Sequence, residues 1–238
     1  QVVGDLQVEA FDPVRDGLPA RVAALDWLSP TLLRLRLVPE RPLRYRAGQH
    51  LVLWTADGVA RPYSLASLPG EDPFLEFHLE CAKPGAFIRA ARQLTVGDAV
   101  RLGELRGGAL HYDPDWQELA LWLLAAGSGL GPLYGVLREA LRQAHHGPIR
   151  VVHVARDEAG HYLKAELQAL AQAHPQLQVE YVRQDELADF LVRMRLVSRQ
   201  TRALVCGHPD TVEAFAKRLF LAGLSRNQLL ADAFLSRG

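Results

Sequence analysis

The sequence is poor in the residues that staple small folds or bind metals. Of its 238 residues only two are cysteines, Cys81 and Cys206, which excludes both a disulfide framework and a four-thiolate metal site. The nine histidines show no ligand spacing, since His145 and His146 are adjacent and the others scattered, so no bound metal is expected. An excess of one charge is also lacking. Lys+Arg and Asp+Glu each number 27, so no overall field draws the chain to nucleic acid or to an anionic membrane, and neither is an expected partner. The longest apolar stretch, residues 119–126, falls far short of the roughly 18 residues a membrane helix needs. No basic, apolar, small-residue leader opens the chain, and the expected compartment is the cytoplasm. Without a Gly-x-Ser-x-Gly or similar nucleophile motif, hydrolase chemistry has no support. Methionine occurs once, at Met194, and the chain opens on Gln1, which predicts further sequence upstream in the natural protein.

What is present is ordinary globular composition, 49% apolar and 23% charged, in a length that favours two modest domains. From Ala20 to about Leu110 the apolar residues alternate. Leu33, Leu35 and Leu37 flank Arg34 and Arg36, and Leu75, Phe77 and Leu79 repeat the pattern. Turn pairs such as Gly48-Gln49, Asp57-Gly58, Pro69-Gly70 and Gly97-Asp98 separate these runs, so residues 20–114 are expected to form a small antiparallel β-barrel. After Asp113-Pro114-Asp115 the rhythm changes. Short runs that read as buried strands, at 119–126, 149–155, 177–182 and 203–206, are separated by helix-length stretches, including 132–145 and 209–223. Residues 115–238 therefore predict an α/β domain with a Rossmann-like parallel sheet, and residues 1–19 an N-terminal segment and linker.

Arg61-Pro62-Tyr63-Ser64, preceded by Ala47-Gly48-Gln49 and followed by Lys83-Pro84-Gly85-Ala86-Phe87, resembles the flavin elements of the ferredoxin–NADP reductase superfamily. The resemblance implies FAD as cofactor. In it Arg61 pairs with the pyrophosphate, Tyr63 packs on the isoalloxazine, Ser64 hydrogen-bonds to the reactive N5, and Pro62 shapes their strand. His78 and Leu79 on the next strand are assigned to the flavin as well, and Gly85, Ala86 and Phe87 to its pyrophosphate. Two departures stand out. Ile88 replaces the family's serine or threonine, implying backbone-only phosphate contacts and weaker FAD binding, and Gly103-Glu104 replaces Gly-Pro. Read without the family, Arg-x-Tyr-Ser is also compatible with an ordinary strand.

The strongest signal lies in the second half, where Gly127-Ser128-Gly129-Leu130-Gly131-Pro132 follows an apolar run and opens a helix. Glycines admit a pyrophosphate close to the backbone, the helix start supplies amides, and Pro132 is tolerated in the first turn. A tight strand–helix turn with no ligand is the alternative. The Gly-x-Gly-x-x-Pro form resembles the superfamily's pyridine-nucleotide loop, which assigns Gly127, Ser128, Gly129, Leu130 and Pro132 to NADH or NADPH. Cys206-Gly207-His208-Pro209 is similar to the family's Cys-Gly-x-Pro, and implies that Cys206 and Gly207 orient the nicotinamide, Cys206 without acting as a nucleophile. A buried cysteine serving as a small hydrophobe is the competing reading. Asp232 and Phe234 resemble the acidic-x-aromatic ending that returns to the flavin, Phe234 covering the ring, although a core plug and a solvated carboxylate explain them too. Arg156-Asp157 leaves the choice of nucleotide to a 2′-phosphate or a 2′-hydroxyl; no second basic residue follows within six positions, which favours NADH. Between Arg183 and Arg202 the family's Trp-x-Gly loop is replaced by a helix-like stretch, 185–197.

The implied activity is a reductase that takes hydride from NAD(P)H onto FAD and passes electrons singly to a redox protein, either ferredoxin-type or an oxygenase component. Residues 1–9 resemble the closing strand of a plant-type [2Fe-2S] ferredoxin domain, with 10–19 as linker, so a cluster is expected in an upstream or partner domain. Two alternatives stay open: a reductase of free flavin, and a non-catalytic FAD-binding electron-transfer subunit.

Overall fold

A computed structural model describes residues 10–234, so the ferredoxin-like resemblance of residues 1–9 and the last residues, 235–238, lie outside the described structure. The first unit runs through α1 (Pro13–Asp16), β1 (Leu18–Trp27), β2 (Leu32–Pro39), β3 (His50–Trp54), β4 (Ala60–Ser64), β5 (Leu75–Glu80), α2 (Ala86–Arg92) and β6 (Ala99–Arg106). The second alternates strand and helix: β7 (Ala120–Ala126), α3 (Leu130–Arg142), β8 (Ile149–Ala155), α4 (Lys164–Ala173), β9 (Leu177–Arg183), α5 (Leu187–Arg193), β10 (Thr201–Gly207), α6 (Pro209–Leu221) and β11 (Leu229–Ala233). No helix among the described residues is long and apolar enough to cross a membrane.

Alternation builds the first sheet. Leu33, Leu35 and Leu37 turn into one core with Leu51, Leu53, Phe77 and Leu102, leaving Arg34 and Arg36 on the other face. The strands lie in the order β4-β3-β6-β1-β2-β5, and the two end strands approach each other through a single bridge, Leu65 to Phe77, so the sheet curls into a barrel with one open side. At the turn into β3, Gly48 has φ +99° and a Cβ there would stand 2.3 Å from the Leu110 carbonyl oxygen, so glycine is required. The expected linker departs from the sequence reading. Asp12 caps α1, Phe11 stacks on Trp54 with ring centroids 5.8 Å apart, and β1 already begins at Leu18. Asp12-Pro13 is good helix-start chemistry, which composition alone reads as a spacer.

The second sheet is parallel, in the order β11-β10-β7-β8-β9. Its strands are apolar on both faces because α3 and α4 cover one side, through Leu133, Leu137 and Leu167, and α5 and α6 the other, through Phe190, Phe215 and Leu219. The helix-like stretch 185–197 folds in part: α5 ends at Arg193 and Met194 is extended.

Polar groups join the two units. Arg138 of α3 forms a bidentate pair with Asp72 at 2.5 and 2.9 Å, and Arg142 donates to the Pro69 carbonyl at 2.6 Å. Deeper in the interface runs a buried chain. Arg36 donates to Glu76 at 2.7 Å, the other Glu76 oxygen accepts from His78 Nε2 at 2.9 Å, and His78 Nδ1 lies 2.9 Å from the Tyr162 hydroxyl. The carboxylate only accepts, so Nε2 carries the hydrogen of that bond, while Nδ1 faces the Tyr162 hydroxyl. Burial, followed by the Glu76 charge, pushes the Tyr162 phenol well above its ordinary range, which keeps it a donor.

For Glu76, burial favours the protonated form, but the hydrogen bond and charge of His78 and the Arg36 guanidinium outweigh it and bring the carboxyl down to about 2. A carboxyl whose pKa is lowered by folding stabilises the fold above its unfolded value and loses that contribution as pH falls through its folded value. Glu76→Gln is therefore expected to destabilise the protein near neutral pH, with the gap from wild type shrinking between about pH 5 and pH 2. Urea unfolding of both proteins across this range is the check, and a difference that does not change with pH contradicts the assignment.

Candidate functional site

The two units meet around a cleft of about 310 Å³, within the range of small-molecule sites. One wall is β4, which presents Arg61, Pro62, Tyr63 and Ser64. His50 of β3, in register with Ser64, and His78 and Glu80 of β5 form the floor. The opposite wall is the start of α3, with Ser128, Gly131 and Pro132, and the end of β11 closes it with Asp232 and Phe234.

Close backbone approach shapes the α/β wall. Gly127–Gly129 make one tight helical turn, in which Gly127 has φ +58° and its carbonyl accepts from His153 Nε2 at 2.9 Å. A Cβ on Gly129 would stand 2.2 Å from the Cys206 carbonyl oxygen, and one on Gly207 2.2 Å from the Ala126 carbonyl oxygen. The turns that follow β7 and β10 thus interlock, and neither tolerates a side chain. No side chain caps the Gly127–Gly129 turn or the start of α3, and the Leu130 amide donates to the Gly127 and Ser128 carbonyls.

Charge and burial set the chemistry. Burial raises the Asp232 carboxyl above its ordinary value, against the opposing charge of His50. Burial, then the neighbouring Asp232 charge, pushes the Cys206 thiol well up, so it stays protonated. Tyr63 is raised by burial and packs on Phe87 with ring centroids 5.2 Å apart. Arg61 comes within 3.8 Å of the position a Cβ on Gly85 would take, so a guanidinium stands over a bare backbone turn. That pairing suits a phosphate, and the flat apolar and polar lining beyond it suits an aromatic ring, so the residues present fit a flavin nucleotide.

The sequence-derived residues divide into two groups. Arg61, Pro62, Tyr63, Ser64, His78, Ser128, Pro132, Asp232 and Phe234 come together around the cleft. Leu79 and Phe87 turn into the barrel core, and Leu130 and Cys206 into the core beneath the parallel sheet, so these four side chains stand behind the cleft lining. Cys206 is nonetheless the ladder partner of Asp232. Ala86 is exposed at the start of α2, next to Gly85. Arg156 and Asp157 lie past the end of β8, where Asp157 caps a turn by accepting from the Gly160 amide at 3.1 Å and Arg156 is exposed. Sequence reasoning missed His50 and Glu80, although His50 directly follows Gly48-Gln49 and Glu80 shares the strand face of His78. It also missed Glu76, His153 and Tyr162, which carry no local signal.

Residues 123–217 match the family described as the oxidoreductase NAD-binding domain. The chain is 30% identical over 233 residues to the ferredoxin–NAD(P)+ reductase component of the naphthalene 1,2-dioxygenase and salicylate 5-hydroxylase systems of a Ralstonia species, covering 91% of this chain and 69% of that protein. It is also 30% identical to an NAD(P)H-flavin reductase of Aliivibrio fischeri, over 65% of this chain and 67% of the relative. Among solved structures, the Amycolatopsis cytochrome P450 reductase GcoB superposes with a TM-score of 0.81 at 25% identity, over 92% of this chain and 69% of GcoB. The barrel, the interlocked strand ends and the cleft between them are thus joined to similarity along most of the chain, and the protein belongs to the ferredoxin–NADP reductase family of oxidoreductases.

Proposed function

We propose that the protein binds FAD and NAD(P)H in this cleft and works as an electron-transfer reductase for a one-electron redox protein. The observation that carries the reading is the convergence of Arg61, Tyr63 and Ser64 from the barrel with the Gly127–Gly129 turn and Asp232 from the α/β unit on one cleft. Bound FAD supplies the capacity to accept two electrons as hydride and release them one at a time. The chain's own residues do the rest. Arg61 and the Gly85 turn hold the flavin pyrophosphate, Tyr63 fixes the ring plane, and the Ser64 hydroxyl is positioned for N5. The backbone turn at Gly127, Ser128 and Gly129 would receive the nucleotide pyrophosphate. Gly207, fitted against the Ala126 carbonyl, would fix the strand end beside the nicotinamide site, the neutral Cys206 would keep the underlying core dry, and Phe234 would cover the flavin ring. Ser64 and Asp232 share the cleft, and a carboxyl with a raised pKa is suited to carry the proton released when the flavin is reoxidised. On this reading the division near residues 113–115 separates the FAD unit from the NAD(P)H unit.

The purified protein is expected to be yellow and to bleach anaerobically with NADH. Ser64→Ala should slow flavin reduction about 10- to 1000-fold with FAD content unchanged, because it removes a contact to the reacting atom and none to the phosphates. Stopped-flow absorbance measures this, and a colourless protein that takes up no FAD rules the reading out. The similarity to an NAD(P)H-flavin reductase favours a second reading, diffusible flavin as the substrate. Arg61 beside the Gly85 turn supports retained FAD instead, and loss of flavin through an ultrafiltration membrane during turnover would reverse that choice.

NADH is the proposed donor. Near the turn after β8 the cations beside Arg156 are both paired, Lys164 with Glu158 at 2.9 Å and Arg183, in register with Ala155, with Asp185 and Glu186 at 3.2 and 3.1 Å, and one exposed arginine is thin support for a 2′-phosphate dianion. Steady-state kinetics should show a higher kcat/KM for NADH, and a tenfold preference for NADPH would refute this.

The acceptor is proposed to be a [2Fe-2S] protein, of ferredoxin type or part of an oxygenase. Ferricyanide, a small one-electron oxidant, should be reduced rapidly and cytochrome c slowly, the latter rate rising on addition of a [2Fe-2S] ferredoxin. Equal rates with both oxidants would remove the need for a cluster.

A further inference from the structure

The cleft rests on a buried group that belongs to neither of its motifs. Tyr162 stands two residues before α4, on the α/β side, and its hydroxyl reaches across to His78 of the barrel at 2.9 Å. The His78 ring lies 5.2 Å from the Tyr162 ring, edge-on. That imidazole supports the start of α3, because a Cβ on Gly131 would fall 3.1 Å from His78 Nδ1. Gly131 therefore brings the first turn of the helix down onto the histidine. On its other side Tyr162 meets the ring of His153 at 5.6 Å, edge-on, and His153 Nε2 donates to the Gly127 carbonyl at 2.9 Å. One phenol thus braces both ends of the glycine-rich segment: the Gly127 end through His153 and the Gly131 end through His78. Glu76 holds the histidine from behind at 2.9 Å and is itself held by Arg36 at 2.7 Å.

We infer that Tyr162 is a positioning residue for hydride transfer, fixing the nucleotide loop against the flavin barrel through its hydrogen bond to His78 and its contact with His153. The inference rests on the reading that this cleft seats flavin and nicotinamide. Hydride transfer needs donor and acceptor carbons at contact distance and aligned, and a displacement of about 1 Å costs up to about 100-fold in rate. Tyr162 is buried and is not among the residues that line the cleft. Its removal should therefore alter the approach of the two domains' ligands while leaving the binding of each largely intact.

The test uses Tyr162→Phe, which keeps the ring and removes the hydroxyl, with Tyr181→Phe as control. Tyr181 is also partly buried, packs 5.3 Å from His161, and its hydroxyl has no partner, so its removal is expected to be silent. In the FAD-loaded protein, Tyr162→Phe should slow the stopped-flow hydride step about 10- to 100-fold with KM for NADH and FAD content near wild type. It should also weaken the long-wavelength charge-transfer absorbance of the flavin–nicotinamide pair. Before any nucleotide is added, amide exchange over residues 127–133 should rise in Tyr162→Phe and stay at wild-type level in Tyr181→Phe. His78→Gln should slow the same step, and the double variant should be no slower than the slower single variant, since both act through one contact. This pair also serves if Tyr162→Phe alone folds poorly, because His78→Gln with unchanged exchange and rate would overturn the inference by itself. A wild-type hydride step and unchanged exchange in Tyr162→Phe, or additive losses in the double variant, would overturn it as well. Failure of the wild-type protein to reduce bound FAD with NADH would instead refute the underlying assignment of the cleft, so the two failures are distinct.

Discussion

At the carboxyl ends of β7 and β10 a carbonyl of each strand presses against a glycine at or just past the end of the other. The Ala126 oxygen sits where a side chain on Gly207 would be, and the Cys206 oxygen where one on Gly129 would be. The two strands are neighbours in the parallel sheet, so their registers cannot shift without a clash at both turns. That mutual fit fixes where α3 begins, and it places the helix start opposite β4. The position of the cleft, at the carboxyl ends of parallel strands, follows from backbone contacts more than from any side chain in it.

Against this rigid edge the barrel is held by few but buried polar links. The exposed Arg106–Glu104 pair, about half open to solvent on both sides, adds little to stability. The Arg36–Glu76–His78–Tyr162 chain is different, because its buried members, Glu76, His78 and Tyr162, would be stranded if a neighbour were lost, at a cost of about 1–3 kcal/mol apiece. Gly135 adds closeness without polarity: a Cβ on it would touch the carbonyls of Ala66 and Ser67 at 3.4 Å, so α3 packs directly on barrel backbone. The interface is therefore specific in orientation although small side chains make much of it.

Much of this architecture is legible in the chain because burial is one-sided in the barrel and two-sided in the parallel sheet. Alternating leucines in β2 and β5 follow from the first condition, and the unbroken apolar run 119–126, which contains β7, from the second. Motif order finds Arg61, Ser64, Ser128, Pro132, Asp232 and Phe234, which share the cleft. Leu79 is the instructive departure. Strand alternation puts His78 and Glu80 on the cleft face and Leu79 on the other, and naming it beside His78 overlooked that period. Residues 10–17 read as a spacer because proline, glycine and aspartate serve helix starts and linkers alike. His50, His153 and Tyr162 are illegible for another reason: each acquires its meaning from a partner on a different element, and no local pattern encodes that distance.

The single bridge between Leu65 and Phe77 leaves β4 and β5 unzipped along the rest of their length. A seam left open in a barrel exposes unpaired amides and carbonyls, which ordinarily invite another chain to add a strand. Here the seam runs along the wall that carries Arg61 to Ser64, so whatever fills the cleft also hides that rim from strangers. An occupant whose edge offered alternating donors and acceptors would complete such a seam in the way an added strand does.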